Sequence, residues 1–265
     1  MPHITLNKTK YHYQQSGKGT PVIFAHGLFV DYSIFKYQIE VLQENFACYA
    51  FDMPAHGKSM YDENGWSLDD IVEDFRLFIL EKNLHNVILI GQSQGGMVFM
   101  RLASKYPELV SKLILIGTSA GAEYEDRIPF WQDMVGIFRN GNVVDFHNSM
   151  KLIQENIVSK HFIKHFPLDK AEELAIMQRQ NPLAMALATE AAVLNRTDVS
   201  ALLPYILCPT LIVCGQDDTA TPLEVSTEIK ENIKHSDMFI IPNAAHHIPL
   251  ENPKELNRLI INFLK

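Results

Sequence analysis

Six short runs of consecutive apolar residues occur along this 265-residue chain, and none of them alternates with polar residues. Runs of this kind are typical of strands that are covered on both faces, as in a parallel sheet. The six runs are Val22–Ala25, Ala47–Phe51, Val87–Ile90, Leu113–Ile116, Leu211–Cys214 and Met238–Ile241. Ahead of them, the alternating segments Ile4–Asn7 and Tyr11–Gln14 predict an antiparallel hairpin. The chain therefore starts with a hairpin and continues into a parallel sheet.

Helical patterns lie between these strands. Ser67 can cap a helix whose apolar residues from Ile71 to Ile79 share one face, which we expect to pack on the sheet. Near the end of the chain, Asn252 precedes Pro253 and is followed three residues later by Glu255, which has the form of a capping box. This predicts a closing helix from Pro253 to about Leu264.

The long interval between the fourth and fifth runs breaks the strand-helix rhythm. Four segments in it carry helical apolar spacing: 126–138, 143–157, 168–179 and 183–194. We predict a helical cap over residues 119–204, inserted into a core domain of residues 1–118 and 205–265. Phe130, Trp131, Met134 and Phe138 in the first segment either line a pocket or pack the cap helices together. The first three, with Phe29, are the candidate pocket residues.

The composition and charge of the chain limit the kinds of molecule that it is expected to bind. The chain is 47% hydrophobic, which is enough for one large core, and its formal net charge is −8 without a cluster of Lys and Arg. It therefore carries no electrostatic signature for nucleic acid or an anionic membrane surface, and small neutral substrates fit better. Neither a signal peptide nor a membrane span is visible, so we expect a cytoplasmic protein. Oligomeric state stays open.

Three cysteines, Cys48, Cys208 and Cys214, are odd in number and show no paired spacing. This favours buried thiols over a disulfide framework or a zinc site. We expect no metal and no cofactor.

The segment Gly91–Gly95 has the pattern Gly-x-Ser-x-Gly and lies between an apolar run and a helical stretch. Ser93 is thus predicted on a sharp strand-to-helix turn, where flanking glycines remove Cβ atoms that would clash. Such a turn presents the Ser93 hydroxyl above the sheet. The N–H of Gln94, at the positive end of the helix, can stabilise the oxyanion formed when Ser93 attacks a carbonyl.

A serine nucleophile needs a base, and the base needs a carboxylate to hold its tautomer. Asp217 and Asp218 follow one buried run, and His246 and His247 follow the next predicted strand. Functional loops of parallel sheets lie at these carboxyl ends. Local chemistry separates neither the two aspartates nor the two histidines, but the order Ser, Asp, His after three strands predicts a catalytic triad.

A second oxyanion donor is expected near the first parallel strand. His26, Gly27, Leu28 and Phe29 follow that strand, and Leu28 can supply the N–H. We interpret His26 as a structural support of this loop. The loop around His56 follows the next strand, and His56 is also interpreted as structural.

Together these residues resemble the α/β-hydrolase superfamily over essentially the whole chain. The resemblance includes the His-Gly loop at His26, an Asp-x-x-x-His-Gly-x-Ser loop from Asp52 to Ser59, and the nucleophile elbow at Ser93. It implies a three-layer α/β fold with a mostly parallel eight-stranded sheet and an inserted helical cap. The acid of this family usually lies three residues after a glycine and four before a proline, which indicates Asp218. Its histidine usually lies five residues before the glutamate of a Glu-x-Pro element, which indicates His246.

Local motifs around Asp218 and His246 are similar to 3-oxoadipate enol-lactonases and related carboxylesterases, although those lactonases commonly carry Asn-Ser in place of His26-Gly27. Ser93 argues against haloalkane dehalogenases and epoxide hydrolases, which use aspartate at the elbow. The resemblance implies a metal-independent serine hydrolase acting on a small ester or lactone. Compatible alternatives are cofactor-free haloperoxidases, acyl-homoserine lactonases, carbon-carbon bond hydrolases, and a sensor with slow or no turnover.

Overall fold

The computed structural model describes residues 2–265, so Met1 of the predicted core segment lies outside the described residues. Its eight strands form one sheet with the order β1-β2-β4-β3-β5-β6-β7-β8. The strands are β1 His3–Leu6, β2 Thr9–Ser16, β3 Thr20–Ala25, β4 Phe46–Phe51, β5 Val87–Gln92, β6 Val110–Ile116, β7 Thr210–Gly215 and β8 Ser236–Ile241. The pairs β1–β2 and β2–β4 are antiparallel, and the others are parallel. The predicted eight-stranded, mostly parallel sheet is confirmed.

Helices cover both faces of the sheet. They are α1 Lys36–Leu42, α2 Leu68–Glu81, α3 Gln94–Lys105, α4 Ile128–Asn140, α5 Val143–Ile157, α6 Lys160–His165, α7 Pro167–Gln178, α8 Pro182–Thr189, α9 Leu223–Asn232, α10 Ile248–Glu251 and α11 Pro253–Leu264. Along β3, Val22 and Phe24 belong to a core shared with α1 and α11. Ile23 and Ala25 belong to a second core shared with α2 and α3. Since successive side chains of a strand point to opposite faces, the three-layer arrangement follows directly from this alternation.

The last strand differs from its prediction. β8 pairs only with β7 and forms the edge of the sheet. Phe239 and Ile240 on it are 43% and 48% exposed. The expectation that all six apolar runs are covered on both faces is therefore wrong for this run, because periodicity cannot distinguish an edge strand from a central one.

The predicted cap at the start of α2 is present in full, whereas only the Asn252 half of the predicted capping box is present at the start of α11. Ser67 and Asp70 form a reciprocal capping box at the start of α2. At α11, the Asn252 side chain accepts a hydrogen bond from the N–H of Glu255. The Glu255 carboxylate, however, binds Arg258 one turn later. A nearby guanidinium is a stronger partner for a carboxylate than a backbone N–H.

Five helices, α4 to α8, lie between β6 and β7 and cover the four predicted helical segments. The short helix α6 was not predicted, and a π-helical turn, Glu190–Leu194, continues α8. The bounds 119–204 of a separate cap domain stay a prediction. Within residues 2–265, no helix combines the length and apolar character needed to cross a membrane.

A buried carboxyl group on the face of α2 supports a prediction about stability. Asp74 is 5% exposed. It accepts hydrogen bonds from Asn7 Nδ2 at 2.6 Å and Tyr11 Oη at 2.7 Å. Burial raises the pKa of Asp74 from 3.8 to about 6, although these two hydrogen bonds oppose the rise.

We therefore expect Asp74 to destabilise the fold as pH rises from about 4 to about 6, since the folded state then holds a proton that the unfolded state has released. The resulting decrease in the free energy of unfolding approaches ~3 kcal/mol at pH 7. Asp74→Asn removes the titration, so chemical unfolding of the variant and the wild type at pH 4 and pH 7 should show a relative gain for the variant at pH 7. A pH-independent difference would contradict this account.

Candidate active site

Ser93 occupies the turn between β5 and α3 and has a left-handed backbone with φ +51° and ψ −116°. The neighbouring glycines make this turn possible. A Cβ on Gly95 would lie 2.0 Å from the carbonyl oxygen of Ala25, and one on Gly91 would lie 2.6 Å from the backbone of Gly95. Such contacts exclude any side chain at either position. Ser93 is thus held in a strained backbone conformation, which the packing around the turn stabilises.

Three predicted catalytic side chains meet at this turn. His246 Nε2 lies 3.0 Å from Ser93 Oγ, and His246 Nδ1 lies 2.9 Å from Asp218 Oδ2. Asp217, the alternative acid, is exposed. His247, the alternative base, contacts another carboxylate, described below. Ser93, His246 and Asp218 therefore form a continuous hydrogen-bonded row.

The Asp218 carboxylate is held by the loop that follows it. Its Oδ1 accepts the N–H groups of Ala220 and Thr221, both at 2.9 Å. Its Oδ2 accepts the Thr221 hydroxyl at 2.7 Å in addition to facing His246. Burial alone would raise the pKa of Asp218, but His246 and these donors lower it below its ordinary value. Asp218 is therefore ionised and fixed in orientation towards His246.

Leu28 and Gln94 line the same cavity as Ser93. Gln94 is the first residue of α3, so its N–H is one of those that a helix start leaves without an intrahelical acceptor. Gly27 allows the Leu28 loop to approach, since a Cβ there would lie 2.4 Å from Gln92 Oε1. Both predicted oxyanion donors are thus near the nucleophile.

Two buried histidines brace this loop. His26 Nε2 accepts the N–H of Met53 at 2.9 Å, and His56 Nε2 accepts the N–H of Phe29 at 3.1 Å. Burial lowers the pKa of both, to about 3 for His56. Both imidazoles are therefore neutral at physiological pH and can accept these bonds. They connect the two loops after β3 and β4.

A cavity of about 500 Å³ lies above Ser93. Of the predicted pocket residues, Phe29, Phe130 and Trp131 line it. Phe29 and Trp131 stack with ring centroids 6.3 Å apart. Met134 does not line the cavity, because it is buried one turn further along α4 in the core with Phe138. The prediction of a cavity-lining role is therefore corrected for Met134.

The cavity wall also includes residues that sequence reasoning missed. They come from α5, the π-helical turn and the loops on either side of the insertion, and among them are Glu123, Arg127, Ile153, Asn156, Val193 and Arg196. Periodicity indicated helices in this region but not which of their faces turns towards Ser93. No local motif distinguishes these residues from surface or core positions.

The second histidine of the pair has a separate buried partner. His247 contacts the Glu173 carboxylate on α7, and both residues are 1% exposed. Gln154 on α5 donates to the other oxygen of Glu173 at 2.6 Å. Burial lowers the pKa of His247, but the Glu173 carboxylate raises it by more than that. The net pKa of His247 is therefore above its ordinary value. This ion pair ties the inserted helices to the loop that carries His246.

A third carboxylate, Glu251, orders the backbone of that loop. Its oxygens accept the N–H groups of Ala245, His247 and Ser159 at 3.0, 2.9 and 2.8 Å. Burial raises the pKa of Glu251 despite these donors. The histidine loop and the insertion are therefore joined both by an ion pair and by a shared carboxylate.

Removing Glu173 should strongly destabilise the fold. Glu173→Ala leaves His247 buried without its ion-pair partner and is expected to lower the free energy of unfolding by ~3–5 kcal/mol. Because the folded-state pKa of His247 is raised from 6.5, this stabilisation is fully present below about pH 6.5 and is lost as pH rises through the folded value. Denaturant unfolding at several pH values measures both effects.

The neighbouring Glu172 provides a matched control. Its side chain is 59% exposed and binds Lys36 at the surface. Glu172→Ala should change the free energy of unfolding by less than ~1 kcal/mol. Equal effects of the two substitutions would show that the buried pair has no special role in stability.

Among the described residues, no group of three or more His, Cys, Asp or Glu side chains is arranged to hold a metal ion. The three cysteines, Cys48, Cys208 and Cys214, are buried and free. Burial raises the pKa of each thiol to about 11 or 12. All three are thus protonated at physiological pH.

Comparisons with known proteins agree with this architecture. Residues 20–253 match the family model described as alpha/beta hydrolase fold. The chain is 27% identical to the AB hydrolase superfamily protein YisY of Bacillus subtilis, over 98% of this chain and 96% of that protein. It is 28% identical to the pimeloyl-acyl-carrier-protein methyl ester esterase of Wigglesworthia glossinidia brevipalpis, over 92% and 93%. The enol-lactonase of Burkholderia xenovorans superposes with a TM-score of 0.91 at 19% identity, over 99% of each chain. The family match spans most of the residues that form the sheet, the elbow and the histidine loop, and this chain belongs to the α/β-hydrolase fold family.

Proposed function

We propose that this protein is a serine hydrolase that cleaves a small carboxylic ester or lactone through an acyl-enzyme intermediate. The observation that carries the proposal is the row Ser93 Oγ, His246 and Asp218, with successive distances of 3.0 and 2.9 Å. The row opens into a cavity of about 500 Å³ with largely apolar walls. A relative 28% identical to this chain is named as a methyl ester esterase, which supports ester chemistry.

In the proposed first half-reaction, Ser93 Oγ attacks the carbonyl carbon while His246 Nε2 takes the hydroxyl proton. Asp218 holds the other ring nitrogen, which keeps the tautomer correct and stabilises the imidazolium. The tetrahedral intermediate collapses when His246 returns the proton to the leaving oxygen. With a lactone, the released hydroxyl stays attached to the acyl chain.

In the second half-reaction, His246 accepts a proton from water as the water attacks the acyl-enzyme, and then returns that proton to Ser93 Oγ. The N–H groups of Leu28 and Gln94 are proposed to stabilise the negative oxygen in both steps. Backbone donors suit this task because they are already ordered before the charge develops.

Hydrolysis of p-nitrophenyl esters of increasing acyl length, alongside simple lactones, tests the proposal. We expect turnover that saturates with substrate and falls once the acyl chain exceeds the length of the cavity. Labelling by an organophosphonate probe, mapped by peptide mass spectrometry, should modify Ser93. Absence of both turnover and labelling would exclude the mechanism, whereas labelling without turnover would leave an assembled site with a more specialised substrate.

A further inference from the structure

The hydroxyl group of Thr221 contacts both partners of the candidate acid–base pair. Thr221 Oγ1 lies 2.7 Å from Asp218 Oδ2 and 3.3 Å from His246 Nδ1. Those two atoms are themselves 2.9 Å apart. Three polar atoms therefore form a closed triangle, in which the hydroxyl and the imidazole face the same carboxylate oxygen.

The Asp218 carboxylate is fully supplied with donors. Because it is ionised it can only accept, so the Thr221 hydroxyl donates to Oδ2. In the proposed triad, His246 Nδ1 also donates to Oδ2. The other oxygen, Oδ1, accepts the N–H groups of Ala220 and Thr221. Among the described residues, four donors thus face a carboxylate that has about four acceptor sites.

This contact is enclosed by protein. The Asp218 side chain is 0% exposed, and Thr221 is 6% exposed. Gly117, which follows β6, closes the contact further, because a Cβ there would lie 3.3 Å from Asp218 Oδ2 and 3.4 Å from His246 Nδ1. An apolar side chain of the same shape at position 221 would therefore remove one donor and leave no room for water to replace it.

Sharing Oδ2 between two donors affects the imidazole. Burial raises the pKa of Asp218, whereas His246 and then the backbone and hydroxyl of Thr221 lower it below its ordinary value. A carboxylate that accepts more donors is a weaker base and stabilises a neighbouring imidazolium less. Without the hydroxyl, more of the charge on Oδ2 stabilises the imidazolium form of His246. An imidazolium cannot accept the proton of Ser93, so hydrolysis would stop at a higher pH.

We propose that Thr221 is a positioning residue that holds the His246 ring through the shared oxygen of Asp218 and extends hydrolysis to lower pH. The inference rests on the proposed function, because the ring is the base only if Ser93 is the nucleophile. It adds to the three residues of the proposed triad a hydroxyl group that sets the lower pH limit of the reaction.

Other titratable and charged groups surround this pair, and all of them are kept in the test. They are His247, Glu173, Glu251, Cys214 and Asp217 around the loops of the acid and the histidine, and Glu123, Asp126, Arg127 and Arg196 on the cavity wall. A substitution of Thr221 changes none of their charges. A change in titration is therefore assigned to the lost hydroxyl.

Thr221→Val tests this role, because valine keeps the branched shape and removes the hydroxyl. We expect the acid limb of the pH profile of kcat/KM, which reports the base of the free enzyme, to move up by roughly 0.5 to 1 pH unit. A p-nitrophenyl ester followed at the isosbestic wavelength of p-nitrophenol gives this profile. Thr221→Ser keeps the hydroxyl and should restore the wild-type midpoint. Thr221→Cys offers only a weak donor and should give an intermediate shift.

Thr219→Val is the matched control. Thr219 lies in the same loop, but its hydroxyl donates to the carbonyl oxygen of Asn156. The midpoint of this variant should stay as in the wild type. An unshifted midpoint in Thr221→Val, or an equal shift in Thr219→Val, would overturn the role of Thr221. A lower kcat with an unshifted midpoint would show that Thr221 only packs the loop.

NMR of the protein with isotope-labelled histidine separates this inference from the proposed function. The ring signal of His246, assigned by its absence from His246→Ala, can be titrated without substrate. Its midpoint should rise in Thr221→Val whether or not the protein is a hydrolase. A rise without any ester turnover would support the contact and contradict the proposed function. Turnover without a rise would support the proposed function and exclude this role of Thr221.

Discussion

Replacing Ser93 by alanine is expected to lower ester-hydrolysis turnover by roughly 10⁴- to 10⁶-fold, since no other group in the proposed mechanism forms the acyl-enzyme. The fold should tolerate the change. Ser93 Oγ contacts His246, while the backbone of Ser93 is held separately by Ile116 and Thr118. Steady-state kinetics with a p-nitrophenyl ester and a thermal melt on the same preparation measure both effects.

Ser104 on the same helix provides the control for this substitution. Its hydroxyl binds the carbonyl oxygen of Arg101 and lies away from the cavity wall. Ser104→Ala should keep wild-type turnover. If Ser93→Ala retained more than about one hundredth of the wild-type rate, covalent catalysis by Ser93 would be wrong.

The two adjacent histidines should separate activity from stability. His246→Ala is expected to reduce turnover by roughly 10⁴-fold or more, because it removes the base that contacts Ser93. His247→Ala should keep much more of the activity per folded molecule. It should instead lower the free energy of unfolding by ~3–5 kcal/mol, since it leaves Glu173 buried without its partner. Kinetics well below Tm and denaturant unfolding distinguish the two outcomes.

The reverse ranking in activity would assign the base to His247 and exclude the proposed triad. A large loss of stability in both variants, with equal residual activity, would mean that the loop depends on its packing rather than on one imidazole. Adding imidazole to His246→Ala gives a further comparison, because a small base in the cavity left by the substitution should restore part of the turnover of that variant alone.

Much of the fold could be predicted from local patterns. The apolar runs that became β3 to β7 are buried on both faces, so their sequences carry a signal that depends little on the rest of the molecule. The position of β8 at the edge could not be predicted in this way, because the burial of a strand depends on which elements pack against it.

Part of the candidate site could also be predicted, because its signals are local sequence patterns. Glycines are required on either side of Ser93 because a Cβ at those positions would clash with the backbone. The predicted acid and base follow parallel strands, whose carboxyl ends lie at one edge of the sheet. Local chemistry left Asp217 and Asp218, and likewise His246 and His247, unresolved. The family resemblance indicated one member of each pair, and the folded loops place those members in contact with each other.

What the sequence determined by itself is what depends on neighbours along the chain: the parallel strands, the strained turn at Ser93, the capped helix after Ser67 and the order of the candidate catalytic residues. The tertiary structure decided what depends on residues far apart in sequence. Glu173 lies 74 positions from His247, and no local pattern marks it as the partner. Met134 turned out to be core only once the inserted helices were packed over the sheet. Burial and charge pairing are properties of the assembled molecule, because they are set by every element that packs around a side chain.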